Sequence, residues 1–396
     1  MNKKSIRDIN IKDKRVLVRV DLNVPMDITT GEITDETRIK AIIPTVTYLV
    51  KNKAIVILCS HMGRPKGNSI ESMRLAPVAK RLAEILDLPV KTASDCVGPE
   101  VEGAVNQMSP GDIMLLENIR FHAEEEENDP GFAKKLASLA ELFVNDAFGV
   151  AHRAHASTVG VTQYLPSVGG FLIEKEVEML HRALDIPERP LTAIVGGAKV
   201  SDKITLIDHM LDKVDNLLIG GGMVSTFFKA QGYETGNSLV ELDKIDLANN
   251  LMEKAKRNRT NLVLPNDLIV ADKFNRNTSI KIVPLDRIPK DDYVMDIGPK
   301  TVKAFSEIIR ESKTILWNGP MGVFEFPKFS KGTKDIANLL AGMDAITIIS
   351  GGSTSEAVDS LGLTDKMTHV STGGGASLML LEGSPLPGLE ALLDKE

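Results

Sequence analysis

Residues 15–25 read RVLVRVDLNVP, an apolar β-branched run that ends in small polar residues and a proline. A run this apolar is typical of a strand buried on both faces of a parallel sheet. Similar runs recur, and helical patterns such as Pro77–Leu86 and Lys303–Glu311 lie between them, which indicates βαβ units and an α/β fold. The predicted strands are Arg15–Val20, Ala54–Cys59, Ile113–Leu116, Leu142–Val144, Leu191–Val195, Asn216–Ile219, Asn261–Leu264, Thr314–Trp317 and Ala345–Ile349.

The number of strands and the chain length together predict two domains. So many strands would overfill one sheet, and 396 residues exceed one average domain. We expect two doubly wound, Rossmann-like parallel-sheet domains, over 1–170 and 190–384. The segment 171–189 is predicted to be a connecting helix and linker, because apolar residues recur at helical spacing in Phe171–Leu184 and prolines follow.

Composition and charge narrow the class of protein. Hydrophobic residues make up 43% and charged residues 26%, which is ordinary for a globular protein. The net charge of −7 argues against nucleic acid as a partner. Cys59 and Cys96 are the only cysteines, so no disulfide framework is expected and a reducing compartment fits. Without an apolar leader or a membrane-length apolar stretch, we expect a cytoplasmic protein that contacts no membrane.

Basic residues follow four predicted strands of the first half. Arginine forks match the oxygens of phosphates and carboxylates, and the carboxyl ends of parallel strands meet at one edge of a sheet. The sequence therefore predicts a pocket for a small anion. A metal site built from His61, His122, His152 and His155 is disfavoured, because arginines accompany these histidines. The acidic run Glu124–Glu127 is expected to be a solvated loop or the start of a helix.

The second half carries glycine pairs and triplets after its strands, at Gly196-Gly197, Gly220–Gly222, Gly351-Gly352 and Gly373–Gly375. Glycines let backbone N–H groups approach phosphates. Lys199 and Lys203 are predicted to share one face of a helix that begins just past a strand, which suits a polyphosphate. Neither a P-loop nor a G-x-G-x-x-G motif after the first strand is present, so a nucleotide would be held by another scheme. One half for an anion and one for a nucleotide describe a transferase that closes about a hinge.

Several long motifs resemble those of phosphoglycerate kinases. They are Arg19–Pro25, Ser60–Pro65, Leu115–His122, Asp146–Ser157, Val195–Lys203, Leu218–Met223, Trp317–Glu325 and Ser371–Leu381. The resemblance implies reversible transfer of a phosphoryl group between ATP and the carboxylate of 3-phosphoglycerate, giving ADP and 1,3-bisphosphoglycerate. It also implies a monomer whose C-terminal segment, residues 385–396, packs back on the first domain.

The resemblance further implies roles for individual residues. Those expected to bind 3-phosphoglycerate are Asp21, Leu22, Asn23, Arg38, His61, Met62, Gly63, Arg64, Arg120 and Arg153. Those expected to bind the nucleotide are Lys199, Lys203, Gly221, Gly222, Val294, Met295, Asn318, Glu325, Gly351, Gly352, Ser353 and Thr354. The residues expected to act on the transferred group are Arg38, Lys199, Gly373 and Gly374. A carboxylate nucleophile is already ionised at pH 7, so no general base is required.

Ser353 departs from the family pattern. The family usually has an aspartate there, and that aspartate is a ligand of the nucleotide-bound Mg²⁺. The metal ligand in this chain is therefore left open, with Glu356 acting through water as one alternative and Asp359 as a weaker one. Ser353-Thr354-Ser355-Glu356 also fits a capping box, with Ser353 as the N-cap and Glu356 reaching back.

The sequence also allows two other functions. One is another two-domain transferase acting on a phosphorylated acid, which substrate-swap assays would distinguish. The other is a non-catalytic phosphate- or nucleotide-binding homologue. The presence of Arg38, Lys199 and Gly373–Gly375 argues against the second, since a homologue without activity could lose them freely.

Overall fold

The structure is a computed structural model that describes residues 2–27 and 30–395. The chain divides into two compact units. Unit 1 extends to Glu178 and includes the tail from Pro385, and unit 2 runs from Met179 to Ser384. The division falls inside one helix, Phe171–Asp185. No helix within the described ranges is long and apolar enough to span a membrane.

Unit 1 contains a six-stranded parallel sheet. The strands are β1 Arg15–Val20, β2 Ile55–Cys59, β3 Val90–Thr92, β4 Ile113–Leu115, β5 Leu142–Asp146 and β6 Ser167–Gly169. Their order is β3-β4-β2-β1-β5-β6, so β1 and β2 lie at the centre. Alternate residues of β1 belong to different hydrophobic clusters, with Val16 and Val18 in one and Leu17 in the other. Both faces of the sheet are therefore covered, as a doubly wound fold requires.

Helices cover this sheet, and the C-terminal tail is hydrogen-bonded to the same unit. The helices are α1 Thr37–Lys51, α2 Ala76–Leu86, α3 Pro99–Asn106, α4 Pro130–Ala137 and α5 Phe171–Asp185. The tail forms a short helix, Pro387–Glu390, whose Gly388 N–H donates to Ala151 O at 2.8 Å. Further along the tail, the Leu393 N–H donates to Ser167 O at 2.9 Å, which joins the tail to β6.

Unit 2 contains a second six-stranded parallel sheet and a small antiparallel one. The strands are β7 Leu191–Val195, β8 Asn216–Ile219, β9 Asn261–Val263, β10 Asp267–Ala271, β11 Lys281–Pro284, β12 Tyr293–Ile297, β13 Thr314–Asn318, β14 Ile346–Ser350 and β15 His369–Val370. The parallel order is β15-β14-β13-β7-β8-β9, and the antiparallel order is β11-β10-β12. The helices are α6 Ile204–Leu211, α7 Val224–Ala230, α8 Ile245–Asn258, α9 Pro299–Glu311, α10 Lys331–Ala341, α11 Gly352–Ser360 and α12 Gly375–Leu381.

The prediction of two doubly wound α/β sheets is confirmed. Arg15–Val20, Leu191–Val195 and Asn216–Ile219 match their strands at both ends. The antiparallel sheet was not predicted. Its edge strand, Lys281–Pro284, is mostly exposed and only four residues long, so periodicity gives little signal there.

Candidate active site

Four neighbouring strands of unit 1 end at one edge of the sheet. These are β4, β2, β1 and β5, which lie side by side in that order. Because all four are parallel, the loops that follow them are adjacent. The residues on these loops that we predicted from the sequence are Asp21, Leu22, Asn23, His61, Met62, Gly63, Arg64, Arg120 and Arg153, and Arg38 lies near the start of α1.

His61 is buried among arginines in this group. Its Nδ1 lies 3.2 Å from Arg19 Nη2, and the residue is 3% exposed. Burial lowers the pKa of His61 well below its usual 6.5, and four nearby guanidinium groups lower it further. The four are Arg19, Arg120, Arg38 and Arg153. The imidazole is therefore neutral at pH 7 in a strongly positive environment, to which three predicted arginines and the unpredicted Arg19 contribute.

Arg38 is held against the loop that follows β1. Its Nη1 donates to Asp21 Oδ1 at 3.1 Å and to Asn23 O at 2.9 Å. The amide of Asn23 also joins this loop to the next, because its Oδ1 accepts from Gly63 N at 2.8 Å. The Leu22 N–H donates to Ser60 Oγ at 2.9 Å. These contacts orient the loop after β1 and the loop after β2 relative to each other.

Arg120 is buried and contacts both the loop after β2 and an acidic residue. Its Nη1 donates to Gly63 O at 2.8 Å, and its Nε lies 3.2 Å from Glu126 Oε1. Met62 is fixed on the same side, since its N–H donates to Asn118 Oδ1 at 3.1 Å. Arg153 is half-buried and its Nε donates to His152 Nε2 at 3.3 Å, whereas Arg64 is exposed.

Sequence reasoning missed two buried charged residues beneath the loops. Arg19, fully buried in β1, donates from Nε to Ser157 Oγ at 2.8 Å. Glu125, also fully buried, accepts from Ser157 Oγ at 2.6 Å and from Ser157 N at 2.9 Å. The expectation that Glu124–Glu127 is solvated is thus wrong at Glu125. Burial raises the pKa of Glu125, and Arg19 and Ser157 only partly oppose that shift. The sequence offered one sign of a buried charge at Arg19, because this charged residue lies inside an apolar run.

The histidines do not assemble into one metal site. Among residues 2–27 and 30–395, no group of three or more metal-ligating side chains includes His61, His152 or His155. His155 is instead a neutral group, because burial and Arg120 lower its pKa to about 4. His122 lies apart, beside Asp95.

Unit 2 contains a cleft of about 680 Å³. Of the residues that we predicted, those that line it are Gly221, Gly222, Val294, Met295, Glu325 and Ser353. One wall is aromatic, with the Phe274 ring centred 6.3 Å from that of Tyr293 and 5.7 Å from that of Phe326. The predicted residues that do not line it are Lys199, Lys203, Asn318, Gly351, Gly352, Thr354, Gly373 and Gly374. Volume and lining suit a planar organic group.

The glycine-rich loops of unit 2 pack backbone against backbone. A Cβ added at Gly196 would lie 2.1 Å from Pro320 O. A Cβ added at Gly221 would lie 2.5 Å from Gly197 N. The loops after β7, β8 and β13 therefore approach too closely for any side chain, which explains these glycines without a ligand.

The predicted helical face carrying Lys199 and Lys203 is wrong. Helix α6 begins only at Ile204, so both lysines precede it. Gly197, with φ of 126°, turns the chain after β7 and delays the helix. Lys203 Nζ donates to Asn318 Oδ1, and Asn318 Nδ2 donates to Ser350 Oγ at 2.8 Å. Burial lowers the pKa of Lys203, whereas Glu382 and Asp202 oppose that shift.

Comparison with protein families decides the relationship. The model of the family described as phosphoglycerate kinase matches residues 6–384. The chain belongs to the phosphoglycerate kinase family. It is accordingly a kinase that transfers a phosphoryl group to a carboxylate, in a family that uses ATP and ADP, generally with Mg²⁺.

Individual phosphoglycerate kinases match over nearly their whole length. The chain is 54% identical to that of Pelotomaculum thermopropionicum over 395 residues, covering 100% of both proteins. It is 56% identical to that of Microcystis aeruginosa over 399 residues, covering 99% of both. The solved phosphoglycerate kinase of Coxiella burnetii matches with a TM-score of 0.88 at 42% identity, and that of Pyrococcus horikoshii with 0.85 at 33%, each covering 98% of both chains.

Ser353 does not cap its helix, so the predicted capping box is wrong. Helix α11 begins at Gly352, and the cap is Gly351, whose φ is 87°. The Gly351 carbonyl accepts from Thr354 N at 3.1 Å and from Ser355 N at 3.0 Å. Glycine takes this positive φ without strain, and so displaces serine from the cap position. Ser353 is left exposed in the first turn, at the cleft of this phosphoglycerate kinase homologue.

Proposed function

We propose that the chain catalyses reversible phosphoryl transfer between ATP and the carboxylate of 3-phosphoglycerate, giving ADP and 1,3-bisphosphoglycerate. The observation that carries this proposal is the convergence of four arginines on the buried, neutral His61. Such a cluster of cations, in a protein of net charge −7, suits a small substrate with several negative charges.

The acid is proposed to bind in the N-terminal domain, residues 1–170 with the tail 385–396. His61, Arg64, Arg120 and Arg153 would hold the 3-phosphate, with Met62 and Gly63 beside it. Asp21, Leu22 and Asn23 would meet the hydroxyl and carboxylate region. Arg19 Nη2 can only donate, so His61 Nδ1 accepts and its proton lies on Nε2. A neutral His61 would therefore offer one N–H donor to the substrate.

The nucleotide is proposed to bind in the C-terminal domain, residues 190–384. Gly221, Gly222, Val294 and Met295 would line the adenine slot, and Glu325 would meet the ribose. The residues proposed to meet the phosphates and the rest of the nucleotide are Lys199, Lys203, Asn318, Gly351, Gly352, Ser353 and Thr354. The aromatic wall of the cleft supports this assignment, because a planar base packs well on ring surfaces.

The chemical step requires charge neutralisation and positioning more than proton transfer. The carboxylate nucleophile is already ionised at neutral pH, so the absence of a base in its assigned residues is no obstacle. Arg38 and Lys199 would stabilise charge on the transferred group, together with the N–H groups of Gly373 and Gly374. Both substrates must come together in a site that excludes water, so we propose that residues 171–189 serve as a hinge for closure.

Mg²⁺ is proposed to be held chiefly by nucleotide phosphates and water. The exposed Ser353 hydroxyl is a neutral and poor ligand for this hard cation. Glu356 is also exposed, so a water-mediated contact from it remains the alternative. Bound with the nucleotide, the ion would neutralise phosphate charge. We further propose that the enzyme is a cytoplasmic monomer.

A coupled assay tests the function directly. Purified protein with ATP, Mg²⁺ and 3-phosphoglycerate should form 1,3-bisphosphoglycerate, detected by its reduction in a dehydrogenase-coupled reaction. Replacement of 3-phosphoglycerate by other phosphorylated acids should abolish the signal. The proposal is contradicted if a different phosphorylated acid is turned over faster, or if nucleotide binds without any transfer.

A further inference from the structure

Asp95, Cys96 and His122 lie together outside the residues that we assign to the two substrates. One potential ligand atom from each lies within 4.8 Å of those from the other two. Asp95 and Cys96 follow β3, and His122 follows the 3₁₀ helix Ile119–Phe121. Because β3 and β4 are parallel neighbours, the loops after them meet at the same edge of the sheet.

We propose that Asp95, Cys96 and His122 form a binding site for a thiophilic divalent cation such as Zn²⁺. A thiolate, an imidazole and a carboxylate are all ligands of zinc, with bonds of about 2.0–2.3 Å. Two ligand atoms around a tetrahedral zinc ion therefore lie roughly 3.3–3.8 Å apart. The separations run from 2.7 Å, between His122 Nε2 and Asp95 Oδ1, to at most 4.8 Å, a range that includes those distances. Soft thiolate coordination disfavours Mg²⁺ and Ca²⁺ at the same place.

The local hydrogen bonds already orient two of the ligands. His122 Nε2 lies 2.7 Å from Asp95 Oδ1, a contact that a metal would replace with bonds to itself. The Cys96 N–H donates to the same oxygen at 2.6 Å, which holds the carboxylate beside the thiol. The His122 ring also packs on Phe132, with 5.1 Å between ring centres. Side chains that are held by their neighbours lose little freedom when they bind an ion.

A carboxylate next to the Cys96 thiol provides negative charge for a cation. The Cys96 N–H donates to Asp95 Oδ1, which places that carboxylate beside the sulfur. A metal would bind Cys96 as the thiolate, so its binding would release the thiol proton to solvent. Asp95 and His122 are partly exposed, which leaves a path for the ion from solvent.

Cobalt titration of the full chain without nucleotide tests this site. Co²⁺ bound to a thiolate should give charge-transfer absorption in the near ultraviolet at one equivalent, and Zn²⁺ should displace it. Cys96→Ser should abolish the band. Cys59→Ala is the matched control, because Cys59 is the only other cysteine, and it should keep the band. Omitting nucleotide prevents its phosphates from competing for the metal.

Affinity and stability give a second readout. His122→Gln should weaken Zn²⁺ binding at least about tenfold, as measured by competition against a chromophoric chelator. Zn²⁺ should raise the melting temperature of the wild type but not of Cys96→Ser. The proposal is overturned if Co²⁺ gives no thiolate band, if the band survives Cys96→Ser, or if Cys59→Ala removes it. Should Cys96→Ser fail to fold, unchanged Zn²⁺ affinity in His122→Gln overturns the proposal.

Discussion

Asp146 should make the stability of unit 1 fall as pH rises. This carboxyl group lies at the end of β5 and is fully buried. Its Oδ1 accepts from Leu172 N at 2.9 Å in the first turn of α5, whereas its Oδ2 has no hydrogen-bond partner. Burial raises the pKa of Asp146 from 3.8 to about 7, and the bonds from α5 and Thr45 only partly oppose that shift.

The sign and size of the effect follow from proton linkage. Between pH 3.8 and about 7 the folded state holds a proton on Asp146 that the unfolded state has lost, so raising the pH favours unfolding. Below pH 3.8 the group contributes nothing, and above about 7 the full cost is present. That difference in pKa corresponds to about 4 kcal/mol, an upper value because buried sites relax.

Asp146→Asn isolates this contribution. The amide keeps an acceptor for α5 but cannot ionise, so the variant should gain about 2–4 kcal/mol relative to wild type between pH 4 and pH 8. The comparison must be made at each pH, because His155 has the opposite dependence. Its lowered pKa of about 4 gives stability that is present above 6.5 and lost as the pH falls toward 4.

Urea unfolding at a series of pH values measures the difference. Asp296 supplies a matched variant in unit 2, since burial also raises its pKa to about 7 and it accepts from Gly332 N at the start of α10. Trp317 is the only tryptophan and lies in unit 2, so its fluorescence should report Asp296→Asn, and circular dichroism should report both variants. A stability difference between Asp146→Asn and wild type that stays constant from pH 4 to pH 8 would refute the reasoning.

Four further outcomes are expected. Arg38→Ala should lower kcat by a factor corresponding to about 2.7–4 kcal/mol with little change in either KM; an effect confined to the KM for 3-phosphoglycerate would make Arg38 a binding residue only. Ser353→Asp should lower the Mg²⁺ concentration that gives half-maximal rate without changing the melting temperature, and an unaltered Mg²⁺ response contradicts the proposed role of Ser353. Gly196→Ala should destabilise unit 2 by about 3 kcal/mol or more in urea unfolding, whereas Gly352→Ala, with open space around it, should not; equal effects would contradict the packing argument. Both substrates together should reduce the radius of gyration in small-angle scattering more than either alone, and an unchanged radius contradicts closure.

The central strands could be predicted from the sequence because a strand that is buried on both faces consists largely of apolar residues. In Arg15–Val20 both faces of the strand are covered, so the apolar run has the same limits as the strand. Lys281–Pro284 is mostly exposed and lacks such a buried pattern. It is held in place by pairing to Asp267–Ala271. Pairing between distant segments cannot be read from either segment alone.

The basic loops could be predicted from motifs, but their buried supports could not. Arginines and histidines after strand ends are visible in the sequence, and parallel topology brings them together. Glu125 instead sits in a run of four glutamates, and nothing in the sequence separates it from its exposed neighbour Glu124. Only the fold shows that its carboxylate meets Ser157 and lies beneath Arg19. Which member of a charged run turns inward is decided by tertiary packing.

The fold shows whether the serine at position 353 serves to cap helix α11. Had this serine capped α11, its hydroxyl would have accounted for the exchange of aspartate for serine, since both residues cap well. The cap is Gly351, and the Ser353 side chain is exposed at the cleft. The helix start therefore depends on the backbone of Gly351 and not on the side chain two residues later. A change at Ser353 should thus leave stability almost untouched, and if the proposed function holds, its effect should appear in the Mg²⁺ dependence of the reaction.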